Sequence, residues 1–182
     1  MKAKRSAAPR VRTPGFDDAM TLGMMLRAAL SDAPSAPIEA DELGDDLEQV
    51  GRDFVSAVMF GNESLLVAEL GHLMAGVVRL VPREFARGCH VATMQILVAP
   101  EARGRRIGTL LREAGLAEAF GPRRFERVEM HIASHDLALE RLMAGDARRW
   151  SLERVERRGT WVDGRFRDVG VWVVDHKTLP RS

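Results

Sequence analysis

The stretch that decides the fold is residues 94–120, MQILVAPEARGRRIGTLLREAGLAEAF. An apolar run ends at Val98, Pro100 interrupts it, a glycine and three arginines follow, and apolar residues at helical spacing begin at Ile107. This order predicts a strand, a tight turn and a helix. The N–H groups of a first helical turn have no partners within the helix, and the helix dipole favours negative charge there. The stretch therefore predicts an anion-binding loop, with phosphate as the expected anion.

Two common phosphate-binding loops do not fit this turn. A Walker loop requires a lysine followed by serine or threonine after its second glycine, and the turn contains no lysine. The dinucleotide fingerprint requires three glycines within six positions, and only Gly104 and Gly108 occur. Neither of these nucleotide-binding motifs is therefore predicted.

The turn resembles the pyrophosphate-binding loop of the GNAT superfamily of acyl-CoA-dependent N-acyltransferases. That loop has the pattern Arg or Gln, two residues, Gly, one residue, Gly or Ala, after a strand that ends in Val-x-Pro. Here Val98 and Pro100 match the strand end, and Arg103, Arg106 and Gly108 occupy the loop positions. Arg106 replaces the usual middle glycine, and the loop keeps its main-chain contacts if Arg106 has ordinary backbone angles. The alternative is an ordinary strand-to-helix connection whose basic residues face solvent.

Length and composition limit the other possibilities. The chain has 182 residues, 46% of them hydrophobic, which suits one domain with a substantial core. Twenty-seven Lys plus Arg against 26 Asp plus Glu give a formal charge of +1, so neither nucleic acid nor a membrane is an expected partner. The single cysteine, Cys89, excludes an intrachain disulfide and a cysteine-rich metal site, so no metal is expected and the cytoplasm is the predicted location. Residues 1–9 are predicted to be a disordered basic arm, and residues 10–182 a single domain.

Helices and strands alternate around the opening stretch. Helical spacing predicts helices over residues 17–30, 41–60, 107–120 and 135–144, with Arg112 facing solvent. Apolar runs predict strands over residues 10–13, 64–70, 73–81, 89–98, 128–133, 150–161 and 166–174. This order is similar to the whole GNAT fold. The resemblance implies a single α/β domain with a mixed, splayed central sheet of about six to seven strands and helices on both faces.

The resemblance also implies where coenzyme A binds. In the family the sheet opens after the strand that ends here at Val98, and the pantetheine arm lies in the gap, so Ile96, Leu97 and Val98 would line the pantetheine and the thioester. The other implied coenzyme-binding residues are Arg103, Gly104, Arg105, Arg106, Ile107, Gly108, Thr109 and His135. His135 is alternatively the cap of the fourth helix. An irregular strand has backbone donors that no neighbour uses, and one of them can polarise a thioester carbonyl.

The implied reaction is transfer of an acetyl group from acetyl-CoA to a primary amine, by direct attack within a ternary complex. A lysine-like amine with a pKa near 10.4 is almost wholly protonated at neutral pH, so it needs a general base. His90 is the first candidate for this base and Glu69 is the alternative, with Glu84 and His131 also considered. Polar residues on strands are more often surface or hydrogen-bonded core residues, so each also has a structural explanation.

The chain contains no tyrosine. The usual general acid of the family is a tyrosine, and alignment of His135, Ala138 and Gly145 with the family's Asn-x-x-Ala and following Gly puts Leu142 at that position. The general acid is therefore unassigned, and a catalytically silent acyl-CoA sensor or interaction module is the alternative function. The acceptor, a small-molecule or protein amine, is also open, as is a homodimer through the C-terminal hairpin.

Overall fold

The structure is a computed structural model that describes residues 8–36, 38–84, 88–162 and 164–178. Its helices are α1 (Ala19–Leu30), α2 (Leu47–Met59), α3 (Ile107–Phe120) and α4 (Leu137–Ala144). Its strands are β1 (Arg10–Arg12), β2 (Ser64–Leu70), β3 (Leu73–Pro82), β4 (Val91–Val98), β5 (Arg127–Ala133), β6 (Ser151–Val162) and β7 (Arg165–Asp175). None of these helices, in the part of the chain described, is long and apolar enough to cross a membrane. The predicted disordered arm falls mainly on residues 1–7, outside the described residues, and stays a prediction.

The strands of the described chain form one mixed sheet in the order β1-β2-β3-β4-β5-β7-β6. Strands β4 and β5 are parallel, whereas the other neighbouring strands are antiparallel. The parallel pair arises because the chain crosses over through α3 between β4 and β5, as a parallel connection requires. The predicted α/β domain with a mixed sheet and helices on both faces is confirmed.

Different helices cover the two faces of β4. Leu97 lies beside Leu26 and Leu30 of α1. Met94 instead packs against α3, where a Cβ added to Gly115 would lie 2.8 Å from the Met94 Cε. Since side chains alternate along a strand, odd-numbered residues of β4 face α1 and even-numbered residues face α3. The two faces of the central sheet are therefore distinct surfaces, and a gap in the sheet can be reached from both.

Helices α1 and α2 cross at very short range. A Cβ added to Gly23 would lie 1.9 Å from the carbonyl oxygen of Leu47, and one added to Gly51 would lie 1.9 Å from that of Ala19. Only glycine allows the two backbones to approach this closely. The crossing fixes α1 against the sheet beside β4.

The prediction of one helix over residues 41–60 is wrong at its start. Residues Ala40–Leu43 form a 3₁₀ turn, and Gly44 then has a φ of 77°. A residue with positive φ cannot continue a right-handed helix, so α2 begins only at Leu47. Asp46 caps it, because its Oδ1 accepts a hydrogen bond of 3.0 Å from the N–H of Gln49.

The prediction that Arg112 faces solvent is also wrong, since the residue is 5% exposed. Its Nη1 donates a 2.6 Å hydrogen bond to the main-chain oxygen of Leu142, near the C-terminus of α4. Its Nη2 lies 2.8 Å from Glu113 Oε1 and 3.2 Å from Asp146 Oδ2. Arg112 therefore ties α3 to the end of α4, satisfying a carbonyl that lacks an intrahelical partner.

Candidate active site at the splayed strands

Strands β4 and β5 pair only over their first residues. The residue pairs in register are Val91–Arg127, Ala92–Val128 and Thr93–Glu129. Beyond them, β3 continues to pair with β4 as far as Val98, and β7 continues to pair with β5 as far as Ala133. From Met94 onward, β4 and β5 are thus held by different neighbours and separate. The sheet has the predicted splay, with a wedge-shaped gap at its centre.

Alternate main-chain groups of β4 point into this gap. The N–H of Arg83 donates to the Val91 oxygen (3.1 Å), and the N–H of Ala99 donates to the Ala75 oxygen (3.0 Å). Odd-numbered residues of β4 therefore direct their main-chain groups towards β3, and even-numbered residues direct theirs towards the gap. The N–H groups that point into the gap beyond the last residue pair, Thr93–Glu129, belong to Ile96 and Val98. Such donors are available to a ligand.

A cavity of about 930 Å³ occupies the gap. Its walls come from β4, β5, the loop between β4 and α3, the start of α3, the segment after α1, helix α4 and the hairpin of β6 and β7. The predicted coenzyme-binding residues that line it are Ile96, Leu97, Val98, Arg103, Gly104, Arg106, Ile107, Gly108, Thr109 and His135, whereas Arg105 lies outside its lining. Their binding roles stay predictions, but a slot of this size suits a long, flexible ligand.

The loop between β4 and α3 contains two left-handed residues. Gly104 has a φ of 73°, and Arg106, the residue before α3, has φ 62° and ψ 16°. The condition stated for this position, ordinary backbone angles at Arg106, is therefore not met. A left-handed conformation costs a non-glycine residue roughly 1–2 kcal/mol, which accounts for the usual glycine at this loop position. The loop therefore keeps the backbone shape that glycine favours, and the arginine raises the energy of that shape.

The segment of residues 32–36 connects the loop to the far side of the gap. Arg103 Nη1 lies 2.5 Å from Asp32 Oδ2, and Arg103 Nη2 donates to the Asp32 main-chain oxygen at 3.3 Å. At the other end, Ser35 Oγ accepts a 2.9 Å hydrogen bond from the N–H of Ala133, the last residue of β5. The segment therefore spans the open end of the wedge on the side of α1.

The sequence matches the model of the acetyltransferase (GNAT) family over residues 26–144. This range runs from the middle of α1 to the end of α4 and contains the loop, both separated strands and most of the residues that line the cavity. The chain belongs to the GNAT acetyltransferase family. The family uses acetyl-CoA as its acyl donor. Within the described residues, no group of three or more His, Cys, Asp or Glu side chains could hold a metal ion.

Several solved GNAT structures have this fold. They include a GNAT-family acetyltransferase from Streptococcus pneumoniae (19% identity, TM-score 0.79, covering 91% of this chain and 98% of that one). A ribosomal-protein-alanine N-acetyltransferase from Brucella melitensis is 20% identical, with a TM-score of 0.79 and coverage of 91% and 99%. The yncA protein of Salmonella typhimurium, solved with its cofactor acetyl-CoA, is 14% identical, with a TM-score of 0.77 and coverage of 97% of both chains. At these identities the likeness shows the fold alone. Among curated proteins, no sequence matches this chain significantly.

His135 stands where the GNAT family usually has asparagine, and it lines the cavity. Its φ is 95°, a strained value for a residue other than glycine. Arg167 Nη1 lies 2.5 Å from His135 Nε2, and since arginine can only donate, this ring nitrogen is the acceptor in the contact. The alternative that His135 caps the fourth helix is wrong, because Asp136 Oδ1 accepts the capping hydrogen bond from the N–H of Leu139 at 3.1 Å.

Leu142 lines the cavity at the position of the usual GNAT tyrosine. A Cβ added to Gly108 would lie 3.6 Å from Leu142 Cδ2, so the leucine packs against the start of α3. A hydrocarbon side chain has no proton to donate to a leaving thiolate. The position thus contributes shape and exclusion of water to the site, and no general acid.

The two predicted bases, His90 and Glu69, are not among the residues that line the cavity. His90 is exposed in the turn before β4, and at about 3.3 Å per strand residue it lies roughly 20 Å from Ile96 along the strand. That distance is too long for a side chain and one water molecule. Glu69 lies on β2, where its Oε1 accepts hydrogen bonds from Arg12 Nε (2.8 Å) and Nη2 (2.6 Å). These placements lend no support to a catalytic role, which stays a prediction for both residues.

A different histidine lines the cavity of this GNAT domain. It is His131 of β5, whose Nε2 lies 3.6 Å from Oε2 of Glu129. Glu129 is 2% exposed and accepts hydrogen bonds from Arg83 Nη2 (2.9 Å) and Arg127 Nε (3.1 Å). Burial alone would raise the pKa of Glu129, but the two arginines outweigh burial and hold this pKa below its usual range. Sequence reasoning did not select Glu129; the available signal was its spacing of two residues from His131 on one strand.

Proposed function

We propose that this GNAT domain transfers the acetyl group of acetyl-CoA to a primary amine, by direct attack of the amine on the thioester within a ternary complex. The observation that supports this most strongly is the cavity between β4 and β5, which meets the loop before α3 at one end. Unpaired main-chain donors of β4 lie along the same gap. A loop for phosphate and a slot with amide donors together match the two chemically different parts of coenzyme A.

In this proposal the main-chain N–H groups at the start of α3 bind the pyrophosphate, assisted by the guanidinium of Arg103. The N–H groups of Ile96 and Val98 bind the amide and thioester carbonyls of the arm. A fixed N–H donor at the thioester oxygen stabilises the negative charge that develops there when the amine attacks. Helix α3 covers one face of the sheet and α1 the other. Acetyl-CoA therefore enters from the side of α3, and the amine acceptor enters from the side of α1.

The leaving group requires little assistance from the protein. A free thiol has a pKa near 8.5, so the departing thiolate is stable enough to take its proton from water. Leu142 is compatible with such a mechanism because it neither donates nor accepts a proton. The acetyl transfer then depends mainly on positioning and on deprotonation of the amine.

The second candidate function is an acyl-CoA sensor that binds the coenzyme without turnover. The specific observation that favours it is Leu142 at the usual tyrosine position. Two measurements distinguish the functions: isothermal titration with acetyl-CoA, followed by free-thiol release with a panel of amines. Release above the hydrolysis background with at least one amine supports the enzyme, whereas saturable binding without release supports the sensor. Absence of saturable binding at millimolar acetyl-CoA would reject both.

A matched pair of variants tests whether binding uses the proposed loop. Arg103→Glu reverses a charge at the cavity and is expected to weaken acetyl-CoA binding at least tenfold, because the carboxylate repels the pyrophosphate. Arg52→Glu makes the same charge change on the exposed surface of α2 and is expected to leave the affinity unchanged. Equal affinities for the two variants would remove the loop from the proposal.

The amine panel has to be broad. Structures with this fold include proteins named for acceptors as different as ribosomal-protein alanine and spermidine. The panel therefore contains polyamines, free amino acids, peptides with an N-terminal alanine and peptides with internal lysine. A preference for α-amino groups over lysine side chains would indicate a site in which deprotonation is not limiting.

The homodimer stays a prediction. Strand β6 is the edge of the sheet, and the hairpin of β6 and β7 exposes Trp161 and Phe166, whose rings meet edge to face at 4.6 Å between centroids. Light scattering at micromolar concentration of the wild type and of Trp161→Ser measures the oligomeric state. A dimer that becomes monomeric in the variant would support association through this hairpin.

A further inference from the structure

Strand β5 has a histidine at the point where the sheet opens. The last residue pair between the parallel strands is Thr93–Glu129, and His131 follows two residues later and lines the cavity. Side chains two residues apart on a strand lie on one face, so His131 shares a face with Glu129 and with Thr93. That face is the one covered by α1, since Thr93 is an odd-numbered residue of β4.

This placement puts His131 on the side from which the acceptor enters. Continuing the register beyond Thr93–Glu129 would bring His131 level with Gln95, one residue before Ile96, whose N–H points into the gap. One residue corresponds to about 3.3 Å along a strand. An imidazole at this level is therefore within reach of an amine that approaches a thioester carbonyl bound at Ile96.

The buried carboxylate of Glu129 lies beside the imidazole of His131. The distance of 3.6 Å between His131 Nε2 and Glu129 Oε2 exceeds a hydrogen bond but is short enough for an ion pair when the ring is protonated. Glu129 is held by Arg83 and Arg127 and is not free to turn away. Because the buried carboxylate is ionised, it stabilises an imidazolium ion beside it.

We propose that His131 is the general base of the reaction and that Glu129 is a positioning residue for it. This inference rests on the proposed acetyl transfer. The amine nitrogen bonds to the thioester carbon, the carbon–sulfur bond breaks, and the thiolate takes a proton from solvent. One proton of the amine moves to His131, directly or through one water molecule. With Nε2 turned to Glu129, Nδ1 is the nitrogen that receives this proton.

The charged groups around His131 form one connected network on this side of the sheet. Arg127 contacts Glu153 of β6 and lies 3.5 Å from Asp175 of β7, and Arg154 lies 3.3 Å from Glu153 and 3.0 Å from Glu156. Together with Arg83 and Glu129, the network has three arginines and four carboxylates. The neighbouring strand positions on β4 and β7 are the uncharged Thr93, Gln95 and Val171. A proton on His131 would neutralise the excess negative charge of the network.

The experiment compares His131→Gln with the wild type and with His72→Gln. His72 is exposed in the turn between β2 and β3 and is not among the cavity-lining residues. With a lysine-like amine, His131→Gln is expected to lower kcat/KM by about 10²–10³-fold and to remove the acidic limb of its pH profile. The affinity for acetyl-CoA, measured by titration, should stay within about twofold of the wild type, because His131 is not a proposed contact of the coenzyme loop. His72→Gln should match the wild type in both measurements.

Two additional variants separate catalysis from structure. The smaller variant His131→Gly is expected to recover activity when imidazole is added, because the free base can enter the space of the missing ring; a purely structural role would give no such rescue. Glu129→Gln is expected to move the acidic limb of the pH profile to lower pH while acetyl-CoA still binds, because the imidazolium loses the carboxylate that stabilises it. Thermal melting confirms that each variant is folded at the assay temperature.

Each result supports or overturns the assignment. An active His131→Gln with an unchanged pH profile would overturn it, and loss of activity in His90→Gln or Glu69→Gln in its place would return the role of base to that residue. These outcomes leave the proposed acetyl transfer intact, since the wild type is active in them. A wild type that binds acetyl-CoA but acetylates no amine would overturn both the function and the assignment.

Discussion

Replacing Arg106 by glycine is expected to stabilise the fold, although it removes a basic side chain from the loop before α3. At φ 62° and ψ 16° the arginine has a conformation that costs roughly 1–2 kcal/mol relative to glycine. Glycine avoids that cost but adds about 0.4–1 kcal/mol of conformational entropy to the unfolded chain. The net gain is therefore about 0.5–1 kcal/mol. For a chain of this length that corresponds to a rise in Tm of about 1–4 °C.

The neighbouring arginines provide matched controls for this variant. Arg105 is exposed in the same turn without a positive φ, so Arg105→Gly is expected to lower Tm by about 1–4 °C, because only the entropy cost applies. Arg124 has a φ of 55° and is not among the residues lining the cavity, so Arg124→Gly should raise Tm as Arg106→Gly does. Circular dichroism melts at one pH measure all three. A fall in Tm for Arg106→Gly equal to that of Arg105→Gly would refute the left-handed assignment and the explanation of the loop.

Three other perturbations have expected outcomes. Arg112→Met breaks a buried ion pair and leaves a carbonyl unsatisfied, so urea unfolding should show a loss of about 2–4 kcal/mol. Gly23→Ala places a Cβ 1.9 Å from the Leu47 oxygen, and the forced separation of α1 and α2 should cost about 2–3 kcal/mol in the same assay. The hydrogen bond from Arg12 lowers the pKa of Asp18, so Asp18→Asn should melt below the wild type above about pH 4. That difference should disappear as the pH falls through the lowered pKa of Asp18.

Local patterns predicted most of the fold, and contacts between distant residues account for the errors. Apolar spacing identified α3 and β4 because each has a continuous buried stripe. The same reasoning joined residues 41–60 into one helix, because spacing cannot report the positive φ of Gly44. Arg112 was assigned to solvent because its partner, the carbonyl oxygen of Leu142, is 30 residues away in sequence. A charged residue is predicted as exposed unless such a partner is known.

For the candidate site, too, local sequence predicted one part, and contacts between distant residues determine the other. The loop before α3 is contiguous in sequence, so its motif could be recognised even with Arg106 in place of glycine. His131, the proposed base, was one of several candidates and could not be preferred from the sequence, since its case depends on where along β4 the sheet opens. His90 was chosen for its position before the expected thioester site, but it lies at the paired end of the strand. The carboxylate beside His131 is held by Arg83, 46 residues away from Glu129, and no local pattern reports that contact.

The gap between β4 and β5 is an interrupted hydrogen-bond ladder, and whatever fills it acts as a strand of the sheet. The pantetheine arm contains two amide groups and can substitute for a peptide there. Bound ligand should therefore slow amide hydrogen exchange at Ile96 and Val98, which are two residues apart on β4 and lie beyond its last pair with β5. Gln95 and Leu97 already donate towards β3, so their exchange should change much less. Coenzyme binding would then complete the secondary structure of this protein, and a two-residue periodicity in exchange rates would be its signature.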